Sequence, residues 1–162
     1  MTRSQTRKSR SRSTVSDAAG RAWDRAIRLL AARDRSEQEI RSRLVASGES
    51  APTIAATVRR LRQYRYLDDQ RFALNLAAQA VRRGYGSAYV RAQLEHKGVA
   101  DQVIGPALHA SFDDEVELAR RALTRQFPEQ PRQPAERAKA ARFLLRRGFP
   151  EAVVFAILNE AC

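Results

Sequence analysis

The sequence predicts an all-α fold of three tandem three-helix repeats forming an elongated, curved array, and three observations predict it. The first is an internal triplication at an offset of fifty residues. Leu44-Val-Ala-Ser-Gly48, Leu94-Glu-His-Lys-Gly98 and Leu144-Leu-Arg-Arg-Gly148 align, and beyond them so do Ile54, Ile104 and Val154, then Val58, Leu108 and Leu158. The second is apolar periodicity at i, i+3, i+4 and i+7, the spacing of a helix with one buried stripe. The third is the lack of any alternating, strand-like pattern between well-marked helix starts and stops. A short repeat of this kind buries its core by stacking units into a scaffold, which makes recognition a stronger expectation than catalysis.

Residues 1–16 are almost all Ser, Thr, Arg, Lys and Gln, too polar to offset the entropy of ordering, and they are expected to form a disordered basic arm. Repeat 1 (17–66) opens with a helix from about Asp17 to Arg33, with Trp23, Ala26, Ile27 and Leu30 as its core stripe. Ser36-Glu-Gln-Glu39 has the form of a capping box and starts a second helix through Ile40 and Leu44, which Gly48 ends in the left-handed conformation. Pro52 suits the first turn of a third helix, whose stripe is Ile54, Val58 and Leu61.

Repeat 2 (67–112) begins at Asp68 and Asp69, where negative charge meets the positive end of a helix. Phe72, Ala73, Leu76 and Ala80 carry that helix inward, and Arg82-Arg-Gly-Tyr-Gly86 breaks it. Val90 and Leu94 then repeat Ile40 and Leu44, with Gly98 as the stop. Repeat 3 (113–162) opens with Asp113-Asp114 and buries Val116, Ala119 and Leu123. Three prolines between Phe127 and Pro134 forbid helix there, and two last helices, about 135–147 and 150–160, flank Gly148.

Charge narrows the function. There are 30 Lys and Arg against 18 Asp and Glu, a net charge of +12, which argues for a polyanionic partner. Nearly all the cations are arginine, whose planar fork pairs phosphates and stacks on bases. The net charge is +5 in residues 1–16, +5 in 17–67 and +2 in the remaining 95, so the positive field is expected at the N-terminal end. The only cysteine is Cys162, which excludes an internal disulfide and fits a reducing compartment. The start lacks a secretory h-region and no apolar run approaches the roughly 20 residues of a membrane span. A cytoplasmic protein without membrane partners is expected.

No constellation of catalytic or metal-binding residues emerges, and the chain is not expected to be an enzyme or to hold a cofactor. The paired aspartates diverge by about 100° on a helix and have no nearby histidine, so they are assigned to helix starts. His96 and His109 fit no zinc or triad spacing. Gly84 and Gly86 lack the residues of a phosphate loop. The best binding element is Arg59-Arg-Leu-Arg-Gln-Tyr-Arg-Tyr66, in which arginines interleaved with tyrosines suit phosphates and bases. The alternative is that Leu61 and either Tyr64 or Tyr66 are core and the arginines complement the helix dipole; both readings stand at the level of sequence. Arg82, Arg83 and Tyr85 repeat the composition at the next junction. A helix-turn-helix reading, with residues 53–64 as recognition helix, fits less well, because its start offers Thr53, Ala55, Ala56 and Thr57 for reading bases.

The succession Leu29-Leu-Ala-Ala-Arg33, Ser36-Glu-Gln-Glu-Ile40, Leu44, Gly48, Leu61, Tyr66-Leu-Asp-Asp-Gln-Arg-Phe-Ala73, Gly84-Tyr-Gly86, Val90, Leu94 and Lys97-Gly98 resembles the RecX family, regulators of the RecA recombinase. The resemblance covers residues 22 to about 160, and Arg146-Arg-Gly-Phe149 continues it in the third repeat. It implies three tandem three-helix repeats and a non-enzymatic modulator, mainly an inhibitor. Such a protein binds the groove of the RecA–DNA filament and depresses ATP hydrolysis and strand exchange, within recombination, DNA repair and the SOS response. Its implied partners are the RecA filament and single-stranded and double-stranded DNA, with the protein itself a monomer. Expected contacts are Arg59, Arg60, Arg62, Arg65, Tyr66, Arg82, Arg83 and Tyr85; Gly48, Asp68, Asp69, Phe72, Gly98 and Gly148 are expected to be structural. The alternative is a sequence-independent DNA-binding or repressor module acting without RecA.

Overall fold

The structure, a computed structural model, describes residues 6–159, with side chains from Asp17 onward. Residues 1–5, the side chains of the expected basic arm, and Cys162 lie outside the described residues. Among the described residues there are nine helices and no strand: α1 (Thr6–Ala32), α2 (Glu37–Ala46), α3 (Ala51–Gln63), α4 (Asp69–Arg83), α5 (Ser87–His96), α6 (Asp101–Ser111), α7 (Glu115–Gln126), α8 (Pro134–Arg146) and α9 (Glu151–Asn159). They fall into two compact units, Met1–Asp69 and Gln70–Cys162.

In the first unit α1, α2 and α3 close on a core of Ala22, Ala26, Ile40, Leu44, Ile54, Val58, Leu61 and Leu67. α1 begins at Thr6, eleven residues before the Asp17 start expected from the apolar stripe. Once Ala22 and Ala26 anchor a packed helix, adding a turn to its end needs no new nucleus, so backbone helix extends past the last core residue. The stripe itself is rotated from expectation. Ala22 and Ala26 are fully buried, whereas Trp23, Ile27 and Leu30 are only half-buried.

The capping box of α2 forms as read: Ser36 Oγ accepts from the Glu39 amide, and the Glu39 carboxylate accepts from the Ser36 amide. A further acceptor arrives from outside the helix. Asp69 Oδ1 takes the Glu37 amide at 2.9 Å, so this aspartate serves the start of α2 as well as standing at the start of α4.

In the second unit α4, α5 and α6 enclose Phe72, Ala73, Ala77, Ala80, Val90, Leu94 and Ile104, while α7, α8 and α9 enclose Leu118, Ala119, Ala122, Leu123, Ala140, Phe143, Leu144, Phe149, Val154 and Ile157. The fifty-residue offset survives in burial. Ile40, Val90 and Ala140 are all fully buried, as are Leu44, Leu94 and Leu144, and Gly48, Gly98 and Gly148 all have φ between 68° and 79°. The two groups of the second unit meet backbone to backbone. The Gly86 amide donates to the Arg147 carbonyl at 2.9 Å and the Ala88 amide to the Gly148 carbonyl at 3.0 Å. A Cβ on Gly86 would overlap the Gly148 carbonyl, and one on Gly148 would overlap the Tyr89 backbone. Glu115 of α7 also accepts from the Ser87 amide and hydroxyl at the start of α5, repeating what Asp69 does for α2.

Candidate nucleic-acid interface

Five helices end in the same way. The residue after the cap takes a positive φ and its amide bonds the third-last carbonyl, while the next amide reaches one residue further back, as Gly48 and Glu49 do on Val45 and Leu44. This Schellman closure satisfies carbonyls that would otherwise lack partners. At α2, α4, α5 and α8 the positive-φ residue is glycine: Gly48, Gly84, Gly98 and Gly148. At α3 it is Arg65, with φ 57°, among the described residues the only non-glycine with positive φ. An L-residue pays roughly 1–2 kcal/mol for that conformation. Backbone strain of this kind is concentrated, across proteins, at binding and active sites.

Arg65 lies in an aromatic and basic cluster. Tyr64 and Tyr66, on either side of it, are 57% and 50% exposed. Each sets its ring edge-on to the α1 indole of Trp23 with centroids 6.0 Å apart. The Arg60 guanidinium lies 4.0 Å from the centre of the Trp23 ring and 5.8 Å from that of Tyr64. Cation–π contacts of this kind hold an arginine in place without neutralising it. The expectation that one of these tyrosines is core does not hold, because Leu61 and Leu67 fill that space at 0% and 4% exposure. The tyrosine rings instead lie edge-on to the indole.

The neighbouring cations differ in their commitments. Arg59 is exposed. Arg62 is ion-paired with Glu37, which also binds Arg41 at 2.8 Å, so Arg62 joins α3 to α2 while leaving 63% of its side chain open. Arg82, Arg83 and Tyr85 belong to the second unit. Arg82 and Arg83 are exposed at the end of α4. Tyr85 is half-buried, stacked on Tyr89 at 4.3 Å with the Arg147 guanidinium 4.9 Å from its centre; its stacking capacity is largely used within the protein. Arg147 also donates to the carbonyls of Arg83 and Gly84 at 2.7 and 3.4 Å, closing α4 where a second glycine cap ends it.

Sequence reading placed Trp23 in the core stripe, whereas it is half-buried at the edge of that core, and it passed over Tyr89 and Arg147. A signal for the first existed. The Ala22, Ala26 pair matches Ala73, Ala77 in the next repeat; all four are fully buried, so this small-residue line lies on the buried side of both α1 and α4. Among the described residues no group of three or more His, Cys, Asp or Glu could hold a metal ion, and no helix is long and apolar enough to cross a membrane.

Family models for the first, second and third three-helix domains of RecX match residues 22–61, 68–108 and 113–158. The chain belongs to the RecX family. The Regulatory protein RecX of Chromohalobacter salexigens is 42% identical over 126 residues, which are 78% of this chain and 83% of that protein. Its namesake from Salmonella paratyphi A is 38% identical over 143 residues, 82% and 86% of the two chains. Among solved structures, RecX from Lactobacillus salivarius superposes with a TM-score of 0.79 at 18% identity, covering 90% of this chain and 97% of that one. Another RecX crystal structure gives 0.78 at 22% identity, covering 97% and 79%. These structural neighbours establish the three-repeat helical fold of the RecX chain described here, and its relatives are named as regulatory proteins.

Proposed function

We propose that the chain is a non-enzymatic modulator, mainly an inhibitor, of the RecA recombinase. In this reading it binds the groove of the RecA–DNA filament as a cytoplasmic monomer and depresses ATP hydrolysis and strand exchange. The basic segment 1–16 and repeat 1 (17–66) lie nearest DNA, and helix faces of all three repeats, 17–66, 67–112 and 113–162, touch the recombinase. Single-stranded DNA is the main nucleic-acid partner, with duplex as a weaker one.

The observation that carries the reading is the strained Arg65 between two exposed tyrosines, whose rings meet a Trp23 indole covered by Arg60. Aromatic faces and guanidinium groups in one patch suit unpaired bases and their phosphates, and need no sequence preference. Arg59, Arg60, Arg62, Arg65 and Tyr66 are the contacts in the first unit, with Arg82, Arg83 and Tyr85 in the second. Several weak contacts to neighbouring subunits of a polymer add through effective concentration, which gives selectivity for assembled filament over free recombinase. Inhibition then requires no chemistry, only the bridging of subunits that must move to hydrolyse ATP.

The test is a titration of the purified protein into RecA hydrolysing ATP on single-stranded DNA. Hydrolysis should fall at substoichiometric amounts, and undiminished hydrolysis at equimolar protein overturns the proposal. Strong duplex binding by the protein alone, with no effect on RecA, would support the module acting independently of the recombinase.

A further inference from the structure

A groove of about 170 Å3 in the second unit is lined by Leu76, Gln79, Ala80 and Arg83 of α4 and by Tyr85, Tyr89 and Gln93. It is well below the roughly 300 Å3 at which pockets begin to hold drug-sized ligands, so its occupant is a single ring system or a short side chain. Its floor is apolar, with Ala80 buried and Leu76 half-buried. One wall is the near-parallel Tyr85–Tyr89 pair, itself backed by Arg147 over Tyr85. The polar lining consists of two amides and a guanidinium. Gln79 and Arg83 are exposed and Gln93 is half-buried, and none of their side chains has a partner among the described residues.

Each part fits one chemical class. A flat aromatic wall stacks a base, a carboxamide reads donor and acceptor together on a base edge, and a free guanidinium at the mouth takes a phosphate. A carboxylate ligand would need only the arginine, and an apolar ligand would leave both amides unpaired. We infer that this groove is a nucleobase slot, separate from the Trp23 cluster, which takes one unpaired base of a single-stranded nucleic acid with its phosphate on Arg83. The bound base adds a layer to the Arg147–Tyr85–Tyr89 series. Adenine is preferred, because a glutamine amide matches the donor and acceptor of its N6 and N7 edge. The choice of a nucleic acid rather than a free nucleotide rests on the function proposed above; the chemistry of the slot does not.

The probe is a short oligothymidylate carrying a single 2-aminopurine, whose emission falls when the base stacks, titrated with the full-length protein. Emission should be quenched, and oligoadenylate should compete better than oligothymidylate. Gln79→Leu with Gln93→Leu should abolish that preference and weaken binding roughly tenfold, and Tyr89→Leu should remove most of the quenching. The glutamine variant keeps the test decisive if Tyr89→Leu unfolds, since both amides lie at the surface of the core. Because 2-aminopurine stacks but lacks the N6 amino group, the amides are read by competition: an oligoadenylate preference unchanged in the glutamine variant overturns the slot. If instead only Trp23→Leu with Tyr64→Ala removes quenching, the slot fails and the first-unit cluster stands. Absence of any oligonucleotide binding overturns the slot, while inhibition of RecA is read independently from the hydrolysis titration.

Discussion

At the scale of residues, Arg65 and Asp69 both hold positions that ordinary stability would give to something else. Four other helix ends place glycine where α3 places Arg65. Replacing it with glycine removes the left-handed strain but adds chain entropy to the unfolded state. Arg65→Gly should therefore raise stability by up to about 1 kcal/mol, read as a higher melting temperature, while weakening DNA or filament binding; a variant that gains stability and binds normally removes Arg65 from the interface. Asp69 has the opposite problem. Burial, the largest influence, pushes its carboxyl above the usual range, and the Glu37 and Asp68 carboxylates add to that, against the Glu37 amide and Arg62. A carboxyl whose pKa rises on folding contributes stability at low pH and loses it as pH climbs through the folded-state value. Asp69→Asn keeps an oxygen for the Glu37 amide without the charge. It should be at least as stable as wild type at neutral pH, with the gap closing in acid, whereas Asp69→Ala should lose about 1 kcal/mol as a missing cap. Thermal melts of the three proteins across the acid range measure both effects.

At the scale of elements, the same turn does different work in different repeats. Gly48 and Gly148 share a φ near 77°, at 79° and 75°. Nothing lies within 4 Å of a Cβ on Gly48, whereas one on Gly148 would collide with Tyr89. Gly48→Ala should cost only the left-handed strain, about 1–2 kcal/mol, and Gly148→Ala substantially more; equal losses by chemical denaturation would show that the backbone seam gives way easily. This difference also marks what sequence could reveal. Capping box, proline start and glycine stops are local, and all were legible because a helix end is decided within a few residues. The seam at Gly86 and Gly148 was not, since its partners are sixty residues apart and a glycine that admits a neighbour looks like one that ends a helix. The candidate interface was half legible for the same reason. Arg59–Tyr66 drew attention by composition, but Trp23 arrives from another helix, and only packing shows that Arg62 is shared with Glu37 and Tyr85 with Arg147.

At the scale of the whole molecule, a net charge of +12 makes any nucleic-acid affinity a function of salt. With roughly six phosphate contacts, binding should weaken by about a thousandfold between 50 and 200 mM salt; a shallow slope would mean that stacking, not charge, dominates. The repeats are three, yet the chain divides into two compact units, and this decides how it is best dissected. A fragment cut at the 112/113 boundary strips Gly86 and Ala88 of the carbonyls that accept from them and Ser87 of its carboxylate partner, exposing orphaned donors and the raw edge of a core. A scissor placed after Asp69 leaves every one of those bonds intact and keeps Asp69 with the helix it caps. Recombinant halves made there, rather than thirds made by counting repeats, are the ones expected to be soluble.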